Sequence, residues 1–286
     1  APACEATGPA ATSARPAAVK RPSLYVITYT CMPSSYRDGM TYDRISGPLE
    51  RIGVEVLDRL ELRGDETVLD AGCGTGRVTQ ALVQRLPRGR AIGVDGSAEM
   101  LAAARERLGD DVELIHADLD ALALGDVRVD AILSTATFHW IADHERLFAS
   151  LRHVLRPGGR LVAQFGGRGN VVELLAAARA AAADEPFAAH LGGWDGPWNF
   201  AGPEQTEQRL RAAGFTAVRA WLVTRPAPYD ELRPWLRVNA LTAHLERLPE
   251  ELREPFVEAV AGRLGPEPAV SYVRLNVDAV AGPSVA

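Results

Sequence analysis

The chain has 286 residues, 47% hydrophobic, 24% charged and 6% aromatic, a balance that supports a sizeable core and excludes a disordered or membrane-embedded chain. Thirty of its 31 basic residues are arginine. The single lysine, Lys20, stands in an Ala/Pro-rich N-terminal stretch, which excludes chemistry that needs a lysine ammonium inside a folded site, as pyridoxal-phosphate enzymes, Schiff-base aldolases and P-loop nucleotidases do. A formal charge of −6 with a pI near 5.6 offers no basic field for a nucleic acid or an anionic membrane, so a small molecule is the expected partner.

Residues 1–39 read as an irregular tail and 40–286 as the folded domain. Residues 24–32 (LYVITYTCM) follow two basic residues as a signal sequence would, but the run is short, broken by threonines and lacks a small-residue cleavage site. Cys4, Cys31 and Cys73 are too few and too scattered for a disulfide framework, and the six histidines contain no His-Glu-x-x-His array. The expectation is a cytoplasmic protein without metal, acting as a monomer or homodimer.

Residues 47–60 place Leu49, Ile52, Val56 and Leu60 at helical spacing. Short apolar strands then alternate with amphipathic helices: strands at 67–70, 91–95, 112–116, 131–134 and 160–165, the fourth and fifth joined by a helix over 144–155 that Pro157-Gly158-Gly159 should stop. Ser97 is placed to cap the helix after the second strand. A helix over 204–213, a strand over 215–223 and a last strand over 270–277 complete the pattern. Such a rhythm predicts an α/β fold, a Rossmann-like seven-stranded, mostly parallel sheet with helices on both faces. Two stretches break the rhythm, an Ala-rich helix and aromatic loop at about 170–201 and two helices at 231–264. Both are expected to cap the carboxyl edge of the sheet, where open α/β sheets bind ligands.

The informative text is Val68-Leu69-Asp70-Ala71-Gly72-Cys73-Gly74-Thr75-Gly76. Alternating glycines allow a tight turn and close approach of a ligand to the backbone, ahead of a helix N-terminus with free N–H groups. A dinucleotide fold wants Gly-x-Gly-x-x-Gly, yet the third position counted from Gly72 is Arg77, which disfavours a nicotinamide cofactor. The acid two residues before the first glycine points to a ligand carrying an ammonium group. Asp95 and Asp118 follow at the ends of successive strands, 25 and 23 residues apart, as βα units require.

In these residues the sequence resembles the class I S-adenosylmethionine-dependent methyltransferases, from residue 41 to about 225. The resemblance implies S-adenosylmethionine as cofactor, with contacts from Asp70, Gly72, Cys73, Gly74, Gly76, Asp95, Gly96, Asp118, Leu119 and Ser134. By the same resemblance Asp95 would receive the ribose hydroxyls, Asp118-Leu119 the adenine, and the carbonyls at Ser134-Thr135 the methionine ammonium. Leu155-Arg156-Pro157-Gly158-Gly159 is similar to the family's turn into strand five.

Ser134-Thr135-Ala136-Thr137-Phe138-His139-Trp140 would then face the reacting methyl group. The His-Trp pair, Gln164-Phe165-Gly166-Gly167 and Trp198-Asn199-Phe200 are similar to the carboxyl methyltransferases of the trans-aconitate and juvenile-hormone-acid type. That resemblance implies an enzyme that esterifies a small organic acid, with Trp140 and His139 orienting the acceptor. Phe138 and Trp140 as core packing, and His139 as a structural hydrogen bonder, are the alternatives for these residues. A polycarboxylate would need several guanidiniums in the pocket; Arg168 is the first nominee, Arg37 and Arg44 the next. The rival readings are an O-, N- or C-methyltransferase of a natural product with His139 as base, and a non-catalytic S-adenosylmethionine-binding protein.

Overall fold

A computed structural model describes residues 47–227, 231–266 and 268–283. The expected 1–39 tail, Arg37 and Arg44 lie outside the described residues. Helix α1 (Gly47–Asp58) precedes β1 (Thr67–Ala71), α2 (Arg77–Gln84), β2 (Arg90–Asp95), α3 (Ala98–Leu108), β3 (Glu113–His116), β4 (Val129–Thr135), α4 (His144–Val154) and β5 (Leu155–Gly166). The chain continues through α5 (Val172–Ala182), α6 (Ala188–Leu191), α7 (Pro203–Ala212), β6 (Phe215–Pro226), α8 (Leu232–Trp235), α9 (Thr242–Arg247), α10 (Glu250–Leu264) and β7 (Ser271–Ala281). The seven strands form one sheet in the order β3-β2-β1-β4-β5-β7-β6, with β1 to β5 parallel and β7 antiparallel to both its neighbours.

Alternation along the buried strands builds two cores, because successive side chains point to opposite faces. Leu69, Ile132, Leu161 and Ala163 pack with Leu147, Phe148 and Leu151 of α4. Val68, Ala131, Leu133 and Val162 face the other way, onto Val56 and Leu57 of α1 and Leu82 of α2. Arg59, just past α1, fastens that layer to the sheet: its guanidinium donates to Asp278 at 2.8 and 3.1 Å and to Asn276 Oδ1 at 2.6 Å. Helix starts follow local chemistry, since Ser97 Oγ accepts from Met100 N and Asp143 Oδ1 accepts from Glu145 N and Arg146 N.

One boundary differs from the sequence expectation. The helix before β5 ends at Val154 and the strand begins at once, so Pro157-Gly158-Gly159 does not terminate a helix. The register instead jumps from Val129↔Leu155 to Ala131↔Arg160, and the Pro-Gly-Gly turn, with Gly158 at φ 77°, occupies a bulge in the strand.

The two stretches that broke the βα rhythm share a third apolar cluster. Leu174 and Ala178 of α5, Trp235 of α8, Leu245 of α9 and Phe256 and Val260 of α10 are buried together. Among the described residues no helix is long and apolar enough to cross a membrane.

Candidate active site

A cleft enclosing about 900 Å³, open solvent at its mouth included, lies at the carboxyl ends of β1, β2 and β4 and is walled on its far side by α5, α8 and the start of β7. The glycine turn forms its floor. Gly72 N and Cys73 N both donate to Val94 O, at 2.8 and 3.0 Å, which ties the loop after β1 to β2. All three glycines hold left-handed φ values (85°, 54° and 79°), but for different reasons. A Cβ on Gly72 would lie 2.1 Å from Thr137 Oγ1, and one on Gly76 would lie 2.8 Å from Leu108 Cδ1. Gly74 has nothing within 4 Å, so a side chain there would project into open space. Gly72 and Gly74 line the cleft and Gly76 begins α2.

The acids at the strand ends are not equivalent. Asp70 is fully buried below the turn, takes a 2.7 Å hydrogen bond from Thr79 Oγ1 on Oδ2, and has no hydrogen-bond partner on Oδ1. Burial, opposed by the Thr79 hydrogen bond and reinforced by the Asp95 charge, pushes its carboxyl up to about 7. Asp95 lines the cleft; its Oδ2 accepts from Gly74 N and its Oδ1 from Ser97 N, both at 2.9 Å. Those bonds lower its pKa, yet burial outweighs them and the pKa is raised. The Gly96 N–H bonds this carboxylate as well, and its two oxygens keep lone-pair capacity beyond these backbone donors.

The other residues nominated for the cofactor stand around the cleft and do not line it. Asp118 is half-buried at the start of a single turn over Leu119–Ala121, with its carboxyl raised by burial and by Asp120. The Leu119 side chain is core. Gly96 O meets His116 Nε2 at 3.0 Å, and Ser134 Oγ donates to Ala71 O at 2.7 Å, holding β4 to β1. Cys73 is buried toward Gly93, with burial first and the charges of Asp70 and Asp95 next pushing its thiol well up, so it stays protonated.

A second constellation occupies the other half of the cleft. After β4 the chain turns at Ala136, left-handed at φ 55°, and winds one turn over Phe138–Trp140. Phe138 is core, packed on Phe148 and Phe165. His139 and Trp140 are nearly buried but line the cleft. His139 Nδ1 accepts the Gly166 N–H at 3.3 Å, which assigns the ring proton to Nε2. Burial, the Arg274 charge and His144 hold the imidazole well below its ordinary value, so it is neutral at pH 7. The Trp-x-Phe loop is pinned onto this turn by Asn199 N to His139 O at 2.8 Å. Trp198 lies 5.8 Å from Trp140, and Phe200 stacks on His139 at 5.9 Å.

Arg168, nominated from sequence, does not enter the cleft: it is exposed and paired with Glu204 at 3.1 Å. The arginine that does is Arg274, which the sequence reading missed. It is 7% exposed, and its guanidinium lies 4.3 Å from the Tyr272 ring centroid. Because β7 runs antiparallel, its first residues reach the carboxyl edge of the parallel strands, pairing Arg274 with Gly166. Val171, left-handed at φ 47° and β-branched, also lines the cleft, a strained backbone of the kind that collects at functional sites.

The electrostatics divide the cleft. Strands stand about 4.8 Å apart, so the four steps from β2 to β7 put the backbones of Asp95 and Arg274 about 19 Å apart. An anionic end with a bare glycine turn suits a cationic ligand laid against the backbone. Gly74, with open space where a Cβ would stand, and the Asp95 carboxylate are the groups that fit such a cofactor.

Residues 69–163 match a family model described as a methyltransferase domain. The chain is 32% identical over 235 residues to a trans-aconitate 2-methyltransferase of Azoarcus sp. (strain BH72), covering 78% of this chain and 87% of that protein. A malonyl-[acyl-carrier protein] O-methyltransferase of Xylella fastidiosa is 33% identical over 152 residues, 51% of this chain and 52% of that protein. Among solved structures, Haemonchus contortus phosphoethanolamine N-methyltransferase 2, in complex with phosphomonomethylethanolamine and S-adenosylhomocysteine, superposes with a TM-score of 0.56 at 19% identity. That match covers 86% of this chain and 57% of the other.

Proposed function

This chain belongs to the class I S-adenosylmethionine-dependent methyltransferases of the trans-aconitate methyltransferase type, and we propose that it esterifies the carboxylate of a small organic acid. The cofactor supplies a methyl group on a positively charged sulfur, so a carboxylate oxygen gains the O–CH3 bond while the S–CH3 bond breaks with its electron pair going to sulfur. No proton moves, because a carboxylate with a pKa near ~4 is already ionised at neutral pH. Gly72, Gly74 and Asp95, which line the cleft, would hold the cofactor, with Asp70 buried beneath the turn.

The observation that carries the reading is the state of His139. Its Nδ1 is engaged by Gly166 N–H and the ring is neutral, so Nε2 presents a proton. An imidazole in that tautomer donates a hydrogen bond to an acceptor oxygen and is not set up to remove a proton from one. Beside it, Trp140 adds an indole face. The aromatic wall also favours a reaction in which a cation and an anion become two neutral products, since opposite charges removed from water gain most by cancelling.

His139→Gln keeps an N–H donor and abolishes a base. We expect it to retain the methylation rate within about tenfold, where His139→Ala loses the hydrogen bond and about 10- to 100-fold. The pH–rate profile should be flat from pH 8 to 5.5. A Gln variant as inactive as the Ala variant would return the reaction to a proton-abstracting mechanism.

A further inference from the structure

Among the described residues, five aromatic side chains besides His139 line the cleft, and they do not offer it equal surface. Trp140, Trp235 and Tyr272 are buried, 8%, 3% and 8% exposed, with their faces taken up by protein. Phe200 stacks on His139 and lies so close over Gly166 that a Cβ there would stand 2.6 Å from its ring. Trp198 differs: it is half-buried, lines the cleft and belongs to the loop between α6 and α7 rather than to the sheet. A large apolar face left open inside a cleft is a surface for a ligand.

Three separate segments hold that ring. Within its own loop it folds back over Gly196, left-handed at φ 93°, where a Cβ would lie 2.5 Å from the indole. Phe200 stacks on it at 6.0 Å with the planes 7° apart, and the residue between them is tied to the acceptor turn, Asn199 N to His139 O at 2.8 Å and Asn199 Nδ2 to Ala142 O at 3.0 Å. From the cap, His244 of α9 comes within 5.9 Å of the Trp198 ring and is itself packed on Trp194 at 5.0 Å and on Phe256 of α10 at 5.7 Å. His244 is buried, and that burial, with the Arg247 charge second, lowers its pKa to about 4, so a neutral ring stands there at pH 7. The next ring inward is Trp140, 5.8 Å from Trp198, so the indole stands one ring beyond the groups that orient the carboxylate.

We infer that Trp198 sets the length of the acid that the cleft accepts, its indole meeting the far end of the acceptor while His139 and Trp140 hold the reacting carboxylate, and that His244 positions the indole from the cap. The inference rests on the carboxylate reading above and deepens it; it concerns length, whatever the number of carboxylates. An acid too long for the space has to displace an indole wedged against Gly196, Phe200 and His244, and well-packed sites resist such overpacking. A ring braced in advance also loses little freedom when the acceptor arrives. Removing the indole therefore favours longer acids instead of weakening all acids alike.

The test uses the full chain and two homologous series, straight-chain monocarboxylates from butanoate to dodecanoate and dicarboxylates from succinate to dodecanedioate. Initial rates give kcat/KM for each acid, and S-adenosylhomocysteine affinity is measured by calorimetry in parallel. Trp198→Ala should move the optimum to longer acids, with a gain of about fourfold for each methylene newly accommodated, at unchanged S-adenosylhomocysteine affinity. Trp198→Phe should move it part of the way. His244→Phe, which keeps a ring behind the indole, should keep the wild-type optimum, and His244→Ala should shift it toward longer acids by a smaller step than Trp198→Ala. An optimum at the wild-type length in whichever Trp198 variant binds S-adenosylhomocysteine overturns the inference and leaves acid methylation standing, and a wild-type optimum in His244→Ala overturns the positioning role. Tight S-adenosylhomocysteine binding by the wild type with no transfer to either series overturns the carboxylate reading and this inference with it.

Discussion

Gly72 and Gly74 lie two residues apart in the same turn, yet replacing each by alanine should damage different properties. At Gly72 the new Cβ would stand 2.1 Å from Thr137 Oγ1 and 2.3 Å from its Cγ2, on a backbone at φ 85°. The left-handed conformation costs about 1–2 kcal/mol for a residue with a Cβ, and the forced displacement adds about 1–3 kcal/mol. Moving Thr137 also breaks its bonds to Gly72 O and Thr135 O. Gly72→Ala should therefore lose about 2–5 kcal/mol, a large share of a typical domain's 5–15 kcal/mol. Gly74→Ala, at φ 54° with no atom within 4 Å, should lose only the conformational part, about 1–2 kcal/mol. Its methyl group instead occupies cofactor space, and S-adenosylhomocysteine affinity should drop at least about tenfold, or 1.4 kcal/mol. Urea unfolding without ligand gives the first quantity and calorimetry the second. Equal stability losses in the two variants, or wild-type affinity in Gly74→Ala, would refute this assignment of the two glycines.

Two further outcomes follow from buried carboxyls. The Asp70 carboxyl, raised from an ordinary 3.8 to about 7, keeps its proton in the folded state while the unfolded chain has lost it, so stability without cofactor should fall as pH rises from about 4 to 7 and level off above. The amplitude is on the order of 4 kcal/mol, Asp70→Asn should remove that slope, and melting curves of the two proteins running parallel from pH 4 to 8 would contradict it. Glu66 shows the opposite sign: burial raises its pKa, but backbone N–H groups of Arg63, Gly64 and Asp65 outweigh it and hold the carboxyl at about 2. Its contribution is present above the unfolded value of 4.5 and is lost as pH falls toward 2, so Glu66→Gln should cost about 2–3 kcal/mol at pH 7 in urea melts and almost nothing near pH 2.

The glycine turn and the strand-end acid were legible in the sequence because their signal is local and periodic. Gly72, Gly74 and Asp95 stand at strand ends one βα unit apart, and both the glycine spacing and the parallel rhythm survive into the sheet. Ser97 as a cap was legible for the same reason, since a cap needs only its own helix. The end of the helix at Val154 was not: Pro157-Gly158-Gly159 has the composition of a stop signal, and only pairing with β4 turns it into a bulge. His139 and Trp140 were nominated by resemblance, but the tautomer that gives His139 a donor role depends on Gly166, 27 residues away.

Arg274 was illegible for a topological reason. Read alone, Ser271–Ala281 is an apolar strand with one arginine, and an arginine near a strand end is by default a solvated side chain. What makes it a cleft residue is the insertion of β7, antiparallel, between β5 and β6. A parallel final strand would have brought its last residues to the carboxyl edge and left Arg274 at the opposite, amino edge of the sheet. Reversal of that strand also explains the separation of charge: the parallel strands carry acids at their ends, next to a glycine turn, while the reversed strand carries a guanidinium beside rings.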